Sequence, residues 1–370
     1  MTANKNQSII LVCTGLGRIQ RGFEMYIASL AQKLVESNAF TAPLEVWTGG
    51  EWRVAGVKSR KIGSIDRNSH WLKKRGDAFI WEQRSFAIGM VPLLLSQKPA
   101  AIYLGEYQLY CYLFKIRQFF RLNFSLVLYT GGQAIPGLFN PALDYVHHVT
   151  DQYLVECRHI PQGRQFLIPH FIETDFVYED AVIAMIKKKA AGKRIVLSVG
   201  IIDNTIKRMD LLVESLLPIK EQVFPVLLGE SSGDEPAIRQ QLEAGFGKDG
   251  FIIDKVAHQR LGNYYKAADL FVLCSPKESF GLASLEALYH GLTVISDDFA
   301  EVKFVLKEEA HFVPMKTKAK LTEAIINLLS TSMFDQCRHD KRQFVTNHYT
   351  WPFLRKQYLD MFGEMYIKQT

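Results

Sequence analysis

Short runs of consecutive apolar residues alternate along the chain with longer stretches whose apolar residues recur every three or four positions. The short runs predict buried strands. They are SIILVCTG, LEVWTG, AIYLG, SLVLYTG and QYLVEC in the first half, and RIVLSVG, FPVLLGE, FIID, LFVLCS and TVISD in the second. The stretch FEMYIASLAQKLVES predicts a helix with a core face of Met25, Ile27, Leu30, Ala31 and Leu34. This alternation is typical of an α/β protein in which helices cover both faces of a parallel sheet.

The alternation occurs twice, which predicts two doubly wound domains. The junction is expected within RQFLIPHFIETDFV, because Pro169 cannot donate to a sheet and a helical stretch with a basic end follows. We therefore expect domains over residues 1–170 and 171–345, and a helical segment over 346–370 that crosses back to the first domain. Ligands of open parallel sheets bind beyond the carboxyl ends of the strands, so two such domains facing each other would form a functional cleft there.

Composition narrows the class of protein. The chain has 370 residues, of which 48% are hydrophobic and 22% charged, as in folded globular proteins. No apolar run reaches the roughly 18 residues that a membrane helix needs, and the start has no basic head of a signal peptide. The five cysteines are scattered without a CxxC pair, which indicates a reducing compartment rather than disulfides or zinc. We expect a cytoplasmic protein.

Charge differs between the halves. Residues 1–175 carry 19 Lys and Arg against 13 Asp and Glu, whereas the remainder carries 25 of each. This excess is too small for a nucleic-acid-binding domain. Two segments, WLKKRGDAFIW (71–81) and FKIRQFFRLNF (114–124), mix basic and aromatic residues. They fit peripheral contact with an anionic membrane or a lipid-linked acceptor, and they equally fit ordinary helices whose basic side chains extend over a core.

The segment SPKESFGLASLEALYHGLTVIS carries the strongest chemical signal. Glu278 is expected in the loop after the strand LFVLC, and Glu286 one to two turns inside the following helix. Backbone amides of Phe280, Gly281 and Leu282 would be free at the helix start, where they favour anionic or hydroxyl-rich ligands. The two carboxylates can accept hydrogen bonds from sugar hydroxyls. By themselves, two such glutamates fit a solvated pair on an ordinary helix better than a binding site.

The flanking residues resolve this ambiguity through a resemblance. The segment resembles the nucleotide-sugar signature of retaining GT-B glycosyltransferases, in particular glycosyltransferase family 4, and the matching residues are Glu278, Phe280, Gly281, Glu286, Gly291, Val294 and Ile295. IPHFIETDFV, LSVGIIDNTIKRMDLLVESL and LGNYYKAADLFVLCSPKES extend the likeness over about residues 165–300. The resemblance implies two Rossmann-like domains facing across a cleft, the first binding the acceptor and the second the nucleotide-sugar.

The family's functional residues can be carried over position by position. The resemblance implies that Glu278 holds hydroxyls of the transferred sugar, that Glu286 holds the nucleotide ribose, and that the amides of 280–282 contact sugar or diphosphate. Lys207, seven residues after Gly200, matches a diphosphate-binding lysine that neutralises the leaving group. Glu278 and Lys207 are thus the expected catalytic residues. The implied reaction retains the anomeric configuration of the sugar. It follows a front-face mechanism, in which the leaving diphosphate helps to deprotonate the acceptor.

Two positions depart from the family. The arginine that usually follows the strand glycine is Ile201 here, and Arg208 or Arg18 could supply the missing charge. In TVISDDFAEVKFVL, Ala300 and Glu301 stand where the family has a glycine pair. These departures keep open a non-catalytic nucleotide-sugar-binding protein on the same fold. A phosphorylase or epimerase is disfavoured, because the sequence lacks an obvious cofactor-lysine context.

The loop after the first strand, TGLGRIQRGFE, adds donor-binding candidates. Gly15 and Gly17 resemble the family's glycine loop, which faces the donor diphosphate. Gln20 stands where a dinucleotide fingerprint would have its third glycine. Arg18 and Arg21 fit either phosphate contact or a solvated surface.

Two further strand ends are candidate acceptor contacts. Glu106 in YLGEYQ is a candidate ligand or base, against a structural or solvated role, and Thr130 and Gly131 follow the strand SLVLY. Many family members have a histidine at the latter place, and none can be carried over here. We expect His147 and His148 to be helix or turn residues.

No metal site is expected. The chain has no DxD motif, and adjacent Asp297 and Asp298 would point to opposite faces if extended. We therefore expect a reaction without metal or cofactor, with the nucleotide-diphosphate-sugar as co-substrate and a sugar, lipid-linked or small-molecule hydroxyl as acceptor. The expected location is the cytoplasm, with peripheral contact at the inner membrane face. The sequence does not identify the donor base, the sugar, the acceptor or the oligomeric state.

Overall fold

The chain divides into two compact units. The computed structural model describes residues 7–19, 22–37, 40, 42–70, 72, 77–131, 143–155, 157–315, 318–330 and 338–367. Unit 1 comprises Met1–His170 and Leu354–Thr370, and unit 2 comprises Phe171–Phe353. The chain therefore passes into unit 2 within IPHFIETDFV and returns to unit 1 inside its last helix.

Unit 1 contains a seven-stranded parallel sheet in the order β3-β2-β1-β4-β5-β6-β7. Its strands are β1 Ile9–Cys13, β2 Leu44–Thr48, β3 Lys58–Lys61, β4 Ala101–Leu104, β5 Ser125–Tyr129, β6 Tyr145–His148 and β7 Gln165–Leu167. Its helices are α1 Gly22–Glu36, α2 Ala78–Gln97, α3 Tyr107–Phe120 and most of α12, Trp351–Ile367. Every residue of β1 is buried, because helices on both faces exclude water from the central strand.

Unit 2 contains a six-stranded parallel sheet in the order β10-β9-β8-β11-β12-β13. Its strands are β8 Arg194–Val199, β9 Val223–Leu228, β10 Ile252–Asp254, β11 Leu270–Leu273, β12 Thr293–Asp297 and β13 Ala310–Val313. Its helices are α4 Asp180–Ala190, α5 Met209–Leu216, α6 Glu235–Phe246, α7 Leu261–Ala267, α8 Leu282–Tyr289, α9 Ala300–Leu306, α10 Lys318–Ser330 and α11 Arg338–Tyr349.

Both sheets have a topological switch point. In unit 1 the chain builds outward from β1 to β2 and β3, then returns to place β4 on the other side of β1. In unit 2 β8 likewise lies between β9 and β11. Loops leave such a point in opposite directions, so a crevice opens at the carboxyl ends of the two central strands. The loops after β1 and β4 in unit 1, and after β8 and β11 in unit 2, are therefore the candidate functional loops.

The two doubly wound sheets confirm the predicted α/β fold class, but one predicted strand is wrong. The described residues of QYLVEC do not form a strand, since Asp151–Tyr153 is a 3-10 turn. The strand lies earlier, in β6, where His147 and His148 are buried and are not helix or turn residues. The His147 ring bonds the Tyr103 hydroxyl at 2.7 Å and the Ile168 carbonyl at 2.8 Å. These partners let a polar side chain occupy a buried strand, which an apolar pattern cannot reveal.

The predicted core face of α1 contains one error. Met25 is 47% exposed, and Tyr26 is buried instead. The Tyr26 hydroxyl lies 3.2 Å from those of Tyr103 and Tyr358, the latter on α12. A tyrosine can face a core when its hydroxyl finds partners there.

None of the helices within the described ranges is long and apolar enough to cross a bilayer.

Candidate functional site

The loop after β8 in unit 2 presents Lys207. Buried Asp203 accepts hydrogen bonds from the backbone amides of Ile206 at 3.1 Å and Lys207 at 2.7 Å, which fixes the loop. Gly200 has φ +155°, and a Cβ at this position would lie 2.9 Å from Cε of Lys207. The lysine side chain therefore lies directly over the glycine that ends the strand. Sequence reasoning missed Asp203, although an aspartate four residues before a functional lysine is a recognisable turn signal.

Lys207 forms an ion pair with Glu278, in the loop after β11. The side chains are 19% and 12% exposed, so the pair is largely shielded from solvent. The structure thus brings together, at the switch point between β8 and β11, the two residues that the sequence predicts as catalytic. An ammonium held beside a carboxylate suits a ligand with an anionic group next to hydroxyls.

Helix α8 begins beside this pair. Gly281 is its N-cap in the left-handed region at φ +79°, and no side chain caps the helix. Phe280 is buried and packs edge-on against Tyr349, which anchors the loop in the core. The Ser284 hydroxyl is buried without a hydrogen-bond partner among the described residues. The helix start, with Leu282 as its first residue, therefore offers uncapped backbone amides and a spare hydroxyl.

Arg208 lies next to the lysine and takes φ +48° as the N-cap of α5. Burial raises the pKa of the Cys274 thiol, and the Arg208 charge partly opposes that rise. Because Cys274 directly follows β11, the guanidinium acts at the same sheet edge as Lys207. Ile201 brings no charge to this edge, which makes Arg208 the candidate for a second cation there.

Glu286 on α8 has hydrogen-bond partners of its own in unit 2. It is 6% exposed, and its oxygens accept hydrogen bonds from Nε2 of His258 at 2.7 Å and the hydroxyl of Tyr265 at 2.9 Å. Burial lowers the pKa of His258, but the hydrogen bond and charge of Glu286, together with the charges of Glu173 and Asp175, outweigh burial, so that the pKa is raised. Sequence reasoning missed both donors, because no local pattern distinguishes them from core aromatics.

A buried polar network fills the switch point of unit 1. The Glu106 carboxylate accepts a hydrogen bond from the Thr14 hydroxyl and one of 3.2 Å from the Thr14 amide. Glu82 is fully buried between two guanidinium groups, those of Arg18 at 2.6 Å and Arg67. Arg18 also donates to Ser64 and Ile65, so it is held within unit 1 rather than left as a spare phosphate ligand.

The protonation of Glu106 is unusual. Burial raises its pKa to about 7, although the Thr14 hydrogen bonds and the Arg67 charge lower it, while Glu82 raises it further. The carboxyl at the end of β4 therefore titrates near neutral pH. Such a group can exchange a proton in the pH range where most enzymes work.

The two glycines after β1 have packing reasons of their own. Gly17 has φ +82°, and a Cβ there would lie 2.6 Å from the Glu51 carbonyl oxygen. A Cβ on Gly15 would overlap the Glu24 carboxylate. Gly17 therefore requires glycine whether or not a phosphate binds there, whereas a side chain at Gly15 would displace the buried Glu24 carboxylate. Arg21 lies outside the described residues.

The predicted acceptor residues after β5 are mostly engaged. The Thr130 hydroxyl donates to the His147 carbonyl at 3.3 Å, and Gly131 is buried against the Tyr129 ring. In the described part of the chain, no group of His, Cys, Asp and Glu is arranged to hold a metal ion.

Comparison with known proteins finds a family match within the second unit. Residues 182–347 match the family described as Glycosyl transferases group 1. The curated D-inositol 3-phosphate glycosyltransferase of Xylanimonas cellulosilytica is 33% identical over 113 residues, 29% of this chain and 27% of that protein. The chain spans less than half the length of the curated relatives that it matches.

Solved structures match over nearly the whole chain. Sucrose-phosphate synthase from Thermosynechococcus elongatus has a TM-score of 0.82 at 18% identity, covering 98% of this chain and 100% of that one. Alr3699/HepE from Anabaena, solved in complex with UDP and glucose, has a TM-score of 0.76 at 12% identity, covering 96% and 99%. At these identities the likeness establishes the fold, which is that of GT-B glycosyltransferases.

Proposed function

We propose that this protein transfers a sugar from a nucleotide-diphosphate-sugar to a hydroxyl acceptor, because residues 182–347 match the family described as Glycosyl transferases group 1 and the chain has the GT-B fold. In this proposal the anomeric configuration is retained and no metal or cofactor takes part. The single observation that supports it most is the Lys207–Glu278 ion pair at the switch point of unit 2.

Lys207 neutralises negative charge on the departing diphosphate, the kind of electrostatic help that dominates group transfer. Arg208, acting at the same edge, is the second cation. The amides that begin α8 contact sugar or diphosphate, and Gly15 and Gly17 contribute a further donor loop. No metal is needed in this proposal, because cations and helix amides supply the positive charge.

Glu278 holds hydroxyls of the transferred sugar. Its carboxylate is paired with an ammonium, which makes it a poor nucleophile, and this favours a front-face reaction over a covalent intermediate. The leaving diphosphate helps to deprotonate the acceptor. Glu286, which accepts hydrogen bonds from His258 and Tyr265, holds the nucleotide ribose. The proposed acceptor contacts in unit 1 are Glu106, Thr130 and Gly131.

UDP-sugars are the first donors to test, because Alr3699/HepE was solved with UDP and glucose. The primary screen measures thermal shifts with UDP-, GDP-, ADP- and TDP-sugars, since a ligand that binds only the native state raises its stability. Glu286→Ala should then weaken nucleoside diphosphate binding about tenfold to 150-fold. Glu278→Ala should reduce turnover of the intact donor more than nucleotide affinity.

The matched control is Glu243→Ala, on the exposed face of α6 in the same unit. It should change neither the nucleotide affinity nor the turnover of the donor. Unchanged nucleotide affinity in Glu286→Ala would contradict the ribose assignment. Nucleotide binding by the wild type without turnover of any donor, with or without acceptor, would favour the alternative, a non-catalytic nucleotide-sugar-binding protein.

The end of α3 supports a lipid-linked acceptor or peripheral membrane contact. Phe119 is 81% exposed and packs edge-on against half-exposed Phe120, with exposed Lys115 and Arg121 nearby in sequence. Exposed aromatic rings beside basic groups bind anionic membrane surfaces. Co-sedimentation with anionic vesicles should fall in Phe119→Ser and persist in the control Phe353→Ser. Equal sedimentation of both variants would contradict this contact.

A further inference from the structure

The Glu286 carboxylate is held by two donors from one short segment. His258 lies in a 3-10 turn, His258–Arg260, that runs directly into α7, which carries Tyr265. His258 donates to one carboxylate oxygen of Glu286 and Tyr265 to the other. Both donors to α8 therefore come from one continuous stretch of the chain.

Both donors are themselves fixed by aromatic packing. The His258 ring lies 5.4 Å from that of Phe176, and the Tyr265 ring stacks on His290 at 4.9 Å. His290 in turn donates from Nδ1 to the Glu286 carbonyl at 2.7 Å. Burial raises the pKa of Tyr265 well above its usual value, so its hydroxyl keeps its proton and remains a donor.

This geometry determines what Glu286 can still bind. A carboxylate has about four lone-pair directions on its two oxygens, and the two donors use one on each. Glu286 is only 6% exposed, and each oxygen of its carboxylate accepts one hydrogen bond. The carboxylate therefore cannot rotate to suit a ligand. One acceptor direction on each oxygen is left, with a defined angle between the two. That arrangement matches a ligand with two neighbouring hydroxyls.

We propose that His258 and Tyr265 are positioning residues that orient Glu286 and so set the preference of the site for a nucleotide with both ribose hydroxyls. The inference rests on the proposed function of Glu286 as a ribose ligand. Neither residue touches the nucleotide in this proposal. Each acts by holding one oxygen of the carboxylate.

The test compares binding of UDP and 2′,3′-dideoxy-UDP by calorimetry. ADP and GDP are each compared with their 2′,3′-dideoxy forms in the same way, because the donor base is not known. The variants are His258→Phe, which keeps the ring contact but removes the donor, and Tyr265→Phe, which removes only a hydroxyl. Each should lower the ratio of ribose to dideoxy affinity about threefold to tenfold. His258→Gln should retain the ratio, since its amide can donate from near the position of Nε2.

The chain offers a matched control in the neighbouring residue of α7. Tyr264→Phe removes a hydroxyl for which the described residues show no hydrogen bond, so the ratio should not change. Circular dichroism verifies that each variant is folded. A purely structural role for His258 or Tyr265 would weaken binding of both ligands equally and leave the ratio unchanged.

The wild type tests whether Glu286 binds the ribose, and the variants test whether His258 and Tyr265 orient it. If the wild type binds the ribose and dideoxy ligands equally for every base, Glu286 is not a ribose ligand and the proposed function is wrong at that residue. If the wild type discriminates but His258→Phe and Tyr265→Phe keep the full ratio, the positioning inference is wrong while the function of Glu286 stands. A reduced ratio in both, restored by His258→Gln, supports the inference.

Discussion

Glu106 provides a quantitative test of the buried network in unit 1. Replacing it with glutamine keeps the shape of the side chain. Glutamine also keeps an oxygen that can accept from the Thr14 amide, which lies 3.2 Å from the Glu106 carboxylate in the wild type. The substitution removes the ability to ionise. Any difference in pH dependence between the two proteins therefore reports the titration of this single carboxyl.

The magnitude follows from its pKa. Burial raises the pKa of Glu106 from 4.5 to about 7, and each unit corresponds to about 1.4 kcal/mol. The folded state keeps a proton that the unfolded state releases. The stabilisation from this group is thus fully present below pH 4.5 and is lost as the pH rises through about 7. The wild type should lose about 3 kcal/mol of unfolding free energy relative to Glu106→Gln between about pH 4.5 and pH 8.

Urea unfolding followed by tryptophan fluorescence measures this difference, since four of the five tryptophans lie in unit 1. The stability difference between wild type and Glu106→Gln should change steadily over that pH range. A control, Glu51→Gln, alters a side chain that is 70% exposed and should give a constant difference. A constant difference for Glu106→Gln as well would refute the raised pKa and the argument from burial.

Three further predictions concern the donor site. Lys207→Ala should reduce donor turnover several hundredfold, the effect of losing about 3 to 4 kcal/mol of transition-state stabilisation, while Ile201→Arg should keep or raise it; near-full turnover in Lys207→Ala would mean that the diphosphate is held elsewhere. Gly200→Ala should lower turnover with the fold intact, because its Cβ would lie 2.9 Å from Cε of Lys207 and displace the lysine; alanine at Gly192, where a Cβ meets nothing within 4 Å, controls for the strain of a positive φ. Donor turnover should survive EDTA, and loss that magnesium or manganese restores would contradict metal independence.

Much of the candidate site in unit 2 could be predicted from local sequence. Glu278 and Lys207 lie at strand ends, and a strand end in an open parallel sheet is recognisable from an apolar run that stops at a glycine or serine. Glu286 follows in the helix that such a loop begins. Their contact as an ion pair could not be predicted, since it depends on β8 and β11 being neighbours in the sheet.

The polar partners of buried groups were beyond local prediction. Glu286 is held by His258 and Tyr265, more than twenty residues away in sequence, and Glu106 is held by Thr14, 92 residues earlier in the chain. Each contact joins residues that are distant in sequence, so neither member shows a periodic or compositional signal. The same reason explains the errors in unit 1, where His147 is a buried strand residue because its ring finds one partner on β4 and another just after β7.

The sequence by itself determined the class of fold, because alternating strands and helices can bury their apolar faces only as covered parallel sheets. It also determined which loops carry the carboxylates, the lysine and the glycines. Only the tertiary structure decided which of these groups meet, which are already engaged by protein donors, and how they titrate. Those properties depend on distances between elements and on exclusion of water, which arise only when the chain is folded.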